Sequence, residues 1–179
     1  MKPPRVTEIL KACGLIEPSR YAAGSAERGT AVHLACQYLD EGDLDEESLP
    51  PEIRGYLDAY KAFLTDGQWK WIAIEKRIES AAWRYCGTVD RIGADFVLDI
   101  KSGQAEPWHA IQLAAYAMLV RDSGPLMRYA LYLESDGRYS LRSFGLADFP
   151  RDWAIFWSCL NLYNWKVLHG YINCRDVAP

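Results

Sequence analysis

This chain has no CxxC pair, no excess of positive charge and no long apolar run, and each absence closes off a class of protein. The cysteines are Cys13, Cys36, Cys86, Cys159 and Cys174, five in number and widely spaced. An odd set without a CxxC pair supplies neither a disulfide framework nor the usual zinc or redox spacing, so buried thiols are expected. The formal net charge is −4. A polyanion is normally gripped through clustered Lys and Arg, so any contact with nucleic acid has to be local rather than spread over a basic surface. No apolar run approaches the roughly 20 residues of a membrane span, and the start Met1-Lys2-Pro3-Pro4 lacks a signal-peptide core. A soluble, cytoplasmic protein is the expectation. No internal repeat or low-complexity segment is evident.

What is present suits one domain over residues 1–179, long enough to bury roughly 70% of its unfolded surface. The most informative stretch runs from Gly87 to Tyr116. Two short apolar runs, Thr88 to Ile92 and Phe96 to Ile100, flank Gly93-Ala94-Asp95 and predict a tight hairpin. Each run carries one acid. Pairing around the turn places Asp90 and Asp99 on neighbouring strands, and the two-residue period puts Lys101 on the face of Asp99. Burying two carboxylates and an ammonium together is costly without a compensating ion. A hard divalent cation takes oxygen ligands of this kind, and the chemistry that fits is metal-assisted attack on a phosphodiester. Lys101 would then orient water or stabilise charge on the phosphate. The competing reading is an ordinary surface ion pair between Asp99 and Lys101.

Around this centre the chain reads as alternating elements. A short helix is expected from Val6 to Cys13, then a loop through Gly14, Pro18 and Gly24. Ser25 begins a helix to about Gly42 with an apolar stripe of Ala31, Leu34, Ala35, Tyr38 and Leu39, and His33 lies one residue off it. A lone helical histidine is more often structural than a ligand, and both readings stay open. The acidic segment Glu41 to Pro51 marks an exposed loop. Ile53, Tyr56, Leu57, Tyr60, Phe63 and Leu64 mark a helix from Pro51 to about Thr65. Lys70 to Glu79 alternates as a strand that pairs with the Asp90 strand. Glu75 then points toward the acids as an accessory ligand or outward as an exposed charge, the outward reading being preferred. A helix from about Pro107 to Arg121 places Gln112 and Tyr116 on one face. Residues 127–145 predict a second hairpin, and Asp148 to about His169 predicts an aromatic-rich helix, with Trp153, Phe156, Trp157, Leu160, Tyr163, Trp165 and Leu168, that covers the sheet.

Four segments taken in order resemble the RecB-type branch of the PD-(D/E)XK nuclease superfamily: Arg28-Gly29-Thr30-Ala31-Val32-His33, Gly87-Thr88-Val89-Asp90, Asp99-Ile100-Lys101-Ser102-Gly103, and Gln112 to Tyr116. The resemblance spans roughly residues 26 to 121. It implies an α/β fold with a central mixed sheet flanked by helices, a restriction-endonuclease-like core completed by the hairpin and helix of residues 127–169. It implies a metal-dependent deoxyribonuclease, an exonuclease acting on DNA ends in recombination, repair or phage DNA processing. Asp90, Asp99 and Lys101 would be catalytic, and His33, Asp90, Asp99 and the backbone carbonyl of Ile100 would bind Mg²⁺ or Mn²⁺. Gln112 and Tyr116 match a QxxxY motif that braces the site and contacts DNA, with Arg28 and Ser102 as further substrate contacts. Members with an iron–sulfur cluster carry three closely spaced C-terminal cysteines; only Cys159 and Cys174 follow the core here, so no cluster is expected. The lack of a helicase region suits a stand-alone, phage-like enzyme in a bacterial cytoplasm, with DNA and a recombination protein such as a single-strand annealing protein as partners. Oligomeric state stays open. Arg28, Lys76, Arg77, Arg91 and Lys101, with the Gln112 and Tyr116 face, are the candidate DNA-gripping groups, because they lie in or beside these motif segments. The alternative function is a non-catalytic DNA-binding or assembly module that keeps the fold.

Overall fold

A computed structural model describes residues 2–121 and 126–172. The helices are α1 (Val6–Ala12), α2 (Ser25–Glu41), α3 (Pro51–Asp66), α4 (Trp108–Val120) and α5 (Phe149–Leu168). The strands are β1 (Ala73–Ser80), β2 (Tyr85–Ile92), β3 (Phe96–Lys101), β4 (Met127–Leu133) and β5 (Tyr139–Phe144). They form one sheet in the order β1-β2-β3-β4-β5. Only β3 and β4 run parallel, because α4 intervenes as the crossover, whereas the other neighbours are antiparallel hairpins. The result is the expected mixed sheet flanked by helices. Cys174 lies outside the described residues.

The two-residue period of the central strands divides the core. Val97 and Ala130 face α1, α4 and α5 on one side, and Leu98, Ile100, Leu131 and Leu133 face α2 and α3 on the other. α3 forms as its sequence predicts, with Pro51 in the first turn and a buried stripe of Ile53, Tyr56, Leu57, Tyr60 and Phe63. α2 is helical over the expected span, but its buried side chains are Val32, Ala35 and Cys36, while Leu34 and Tyr38 are 43% and 42% exposed. The helix is therefore rotated from the predicted stripe, because α3 takes the small residues Ala35 and Cys36 at the contact. On α5 the predicted covering role holds for Phe156, Leu160 and Tyr163, whereas Trp165 and Leu168 at its far end are exposed.

The local feature that makes the site is a parting of β2 from β3. Their ladder consists of Arg91–Leu98 and Ile92–Val97. Beyond Arg91 the strands diverge, and the Asp90 carboxylate occupies the opening, its Oδ2 accepting the Ile100 N–H at 2.7 Å. Farther along, the N-terminal segment fills the same gap, with Cys86 N–H donating to the Pro4 carbonyl at 2.9 Å.

Candidate active site

β2 and β3 deliver the two acids as the hairpin predicts, and each meets a different helix layer. Asp90 sits beneath α2, where His33 Nδ1 lies 3.4 Å from its Oδ2. Asp99 sits on the α4 side, where Lys101 Nζ lies 2.5 Å from its Oδ2. Lys101 then donates to Gln112 Oε1 at 2.9 Å, and Gln112 Nε2 donates to the Tyr116 hydroxyl at 2.9 Å. The Trp108 ring lies below the ammonium, 5.2 Å from Nζ to the centroid, a cation–π contact. The sequence explains the close approach of α4: a Cβ on Gly87 would stand 2.7 Å from the Tyr116 ring, so only glycine lets the tyrosine in.

Glu75 turns inward, against the preferred outward reading. Its backbone takes φ 45, uncommon for a non-glycine residue, and regular strand alternation no longer sets its direction. Its Oε1 lies 3.9 Å from His33 Nδ1 and 3.2 Å from Arg91 Nη1. His33, Glu75 and Asp90 bring one donor atom each to within 4.8 Å of one another. Glu75, the accessory candidate from sequence, thus joins His33 and Asp90 in the cluster, while Asp99 Oδ2 pairs with Lys101.

The electrostatics show a site short of positive charge. Burial raises the Asp90 carboxyl above its usual range and Glu75 adds to it, against His33, Lys101 and the Ile100 N–H. Burial, reinforced by Asp90, lifts Asp99 to about 6 although Lys101 opposes it. Burial disfavours a charged His33, yet Asp90, Glu75 and Asp99 outweigh it and push the imidazole up to about 9. One imidazole and carboxylate oxygens, crowded enough to hold protons, form a donor set that fits a divalent cation.

This centre opens into a cleft of about 1130 Å³ lined by α1, the α1–α2 connection, the first turns of α2 and the β3–α4 loop. Arg28 and Ser102 line it, and Arg28 Nε is buried without a hydrogen-bond partner. Lys11, Arg20 and Tyr21 line it too, from a segment whose sequence carried little information. Three expectations are corrected. Arg91 is fully buried and held 2.6 Å from Asp40, so it cannot grip a substrate. Lys76 and Arg77 are exposed but lie away from the cleft. Gln112 and Tyr116 are 3% and 6% exposed, with their polar ends bonded inside the protein, so they brace Lys101 rather than present a surface. Sequence reasoning also missed Asp40, although it follows His33 by seven residues, two helical turns along the same face of α2.

No protein-family model matches the sequence, and no curated protein matches it. Comparison of three-dimensional structure does find similar folds. A putative exonuclease from Eubacterium rectale matches with a TM-score of 0.55 at 12% identity, over 99% of this chain and 82% of that one. The likeness is one of fold. A phage-related exonuclease from Haemophilus somnus 129PT (TM-score 0.44, 11% identity, 95% of this chain and 96% of that one) and an alkaline exonuclease from Laribacter hongkongensis (0.42, 11%, 91% of each) overlay less well. Among the described residues no helix is long and apolar enough to cross a membrane.

Proposed function

We propose that this chain is a metal-dependent deoxyribonuclease of the PD-(D/E)XK type, an exonuclease that hydrolyses phosphodiester bonds at DNA ends. The observation that carries the reading is the junction at the parted strands: a His33–Glu75–Asp90 donor cluster on one side and an Asp99–Lys101–Gln112 chain on the other, both opening into one cleft. His33, Glu75 and Asp90 would hold the cation, with Asp99 and the Ile100 carbonyl beside them. Mg²⁺ and Mn²⁺ are the ions that suit these donors, and such an ion supplies Lewis-acid activation of the phosphodiester.

The protein's own residues supply the rest. Lys101 is fixed at three points, by Asp99, Gln112 and the Trp108 ring, so its ammonium offers a pre-oriented charge to a phosphate or a hydrogen-bond donor to the attacking water. Arg28 lines the cleft, and its guanidinium is of the kind that pairs with a neighbouring phosphate. Ends in recombination, repair or phage DNA processing, in a bacterial cytoplasm, are the setting this reading suits. The test is cleavage of labelled DNA with Mg²⁺, Mn²⁺ or chelator, by wild type and by Lys101→Ala. Metal-dependent loss of label in the wild type alone supports the reading. Binding of DNA with no cleavage in either metal would favour a non-catalytic module instead.

A further inference from the structure

Below the donor cluster lies an ion pair that the proposed chemistry does not use. Arg91 follows Asp90 on β2, and its side chain is fully buried under α2 and α3. Its Nε donates to Asp40 Oδ2 at 2.6 Å, and the Tyr60 hydroxyl donates to the same oxygen at 2.5 Å. A buried guanidinium requires a carboxylate partner, and Asp40, with its side chain 4% exposed, meets that requirement. The far end of the same guanidinium reaches into the site: Nη1 donates to the Asp90 carbonyl at 2.7 Å and to Glu75 Oε1 at 3.2 Å.

We infer that Asp40 and Arg91 are positioning residues for Glu75: their ion pair holds the Glu75 carboxylate against His33 and Asp90 and thereby sets the affinity of the cluster for a divalent cation. The inference rests on the proposed metal site. Glu75 needs such a hold, because its left-handed backbone departs from strand alternation and its flexible side chain is 23% exposed. Arg91 supplies direction, and Asp40 neutralises Arg91 so that the guanidinium orients Glu75 without leaving an uncompensated cation next to the metal. Partners one step behind the ligands commonly change metal affinity by about 10–100-fold. Removing Asp40 acts twice in the same sense, by loosening Arg91 and by exposing its charge to the incoming cation.

The test is Mn²⁺ affinity by titration calorimetry, with circular dichroism as the check on folding. Asp40→Asn is expected to weaken Mn²⁺ binding about tenfold or more, and Glu75→Gln to weaken it at least as much. In a Glu75→Gln background the effect of Asp40→Asn should be clearly smaller than in wild type, because the part carried through Glu75 is already lost and only the exposed charge of Arg91 remains. If Asp40→Asn does not fold, Tyr60→Phe removes the hydroxyl that donates to Asp40 and accepts from Arg91 Nε at 3.3 Å, and should still weaken binding several-fold. Unchanged Mn²⁺ affinity in the folded Asp40 or Tyr60 variant, or full additivity with Glu75→Gln, overturns the relay while leaving the metal site standing. A wild-type protein that takes up no Mn²⁺ overturns the proposed function and the relay together.

Discussion

Replacing Asp99 by Asn should make the metal-free protein more stable while removing a carboxylate that the proposed chemistry places beside the metal. Asp99 is buried, and its carboxyl is lifted from 3.8 to about 6, by burial and then by Asp90, against the pull of Lys101. A group whose pKa is raised on folding contributes stability that is complete below its unfolded pKa and is lost as pH rises through the folded one. Above pH 6 the carboxylate therefore costs about 3 kcal/mol relative to a neutral group of the same shape, at about 1.4 kcal/mol per unit. Asn imitates the neutral form but forfeits part of the contact with Lys101, so a gain of about 1–3 kcal/mol is expected at pH 8. For a chain of this length that is roughly 2–9 °C in melting temperature. The assay is thermal unfolding in chelator at pH 8 and pH 4, then with Mn²⁺ added at pH 8. The gain should vanish at pH 4, where wild-type Asp99 is protonated. Wild type should recover about 2.7 kcal/mol when Mn²⁺ stands at a hundredfold excess over its dissociation constant, and the variant should recover less. A variant that melts below wild type in chelator at pH 8 would refute the reasoning.

Three further perturbations reach other parts of the structure. Gly87→Ala drives a Cβ to 2.7 Å from the Tyr116 ring, which should cost about 1–3 kcal/mol in denaturant unfolding; cleavage should fall with it, as the Tyr116–Gln112–Lys101 chain shifts. Asp152→Ala strips Arg128, fully buried and 2.8 Å from Asp152 Oδ2, of its only carboxylate partner among the described residues, at a cost of about 3–5 kcal/mol, whereas replacing both residues by apolar ones of similar size should recover most of that. His109 is held neutral mainly by burial, its pKa lowered to about 3. Its contribution is complete above pH 6.5 and is lost as pH falls from 6.5 toward 3, at up to about 1.4 kcal/mol per pH unit, so His109→Gln should flatten the acid limb of the stability curve by that slope.

The elements were legible wherever one periodicity ran long enough. The hairpin around Gly93, the stripe of α3 and the second hairpin follow from residue spacing alone, whereas the parallel pairing of β3 with β4 is set by the α4 crossover and does not follow from spacing. Helix phase was less legible on α2, because Ala35, Cys36, Leu34 and Tyr38 can all serve as an apolar face and the choice depends on what α3 offers. Charged core residues were illegible for a related reason. Arg91 and Arg128 look like surface cations in sequence, since what neutralises them lies 51 residues earlier in Asp40 and 24 later in Asp152. The acids and Lys101 of the candidate site were read from the hairpin register, but Glu75 was carried only as an accessory with the outward reading preferred, since a single left-handed residue in β1 sets its direction.

The reading as a DNA-end nuclease is tested most directly by supplying wild-type protein with end-labelled linear duplex and with covalently closed circular duplex, each in Mg²⁺, Mn²⁺ and chelator. The linear DNA should be degraded from its ends to nucleotides in either metal, the closed circle should persist, and chelator should stop all cleavage. Nicking or linearisation of the circle would contradict action from ends, and an intact linear substrate in both metals would contradict the nuclease reading altogether.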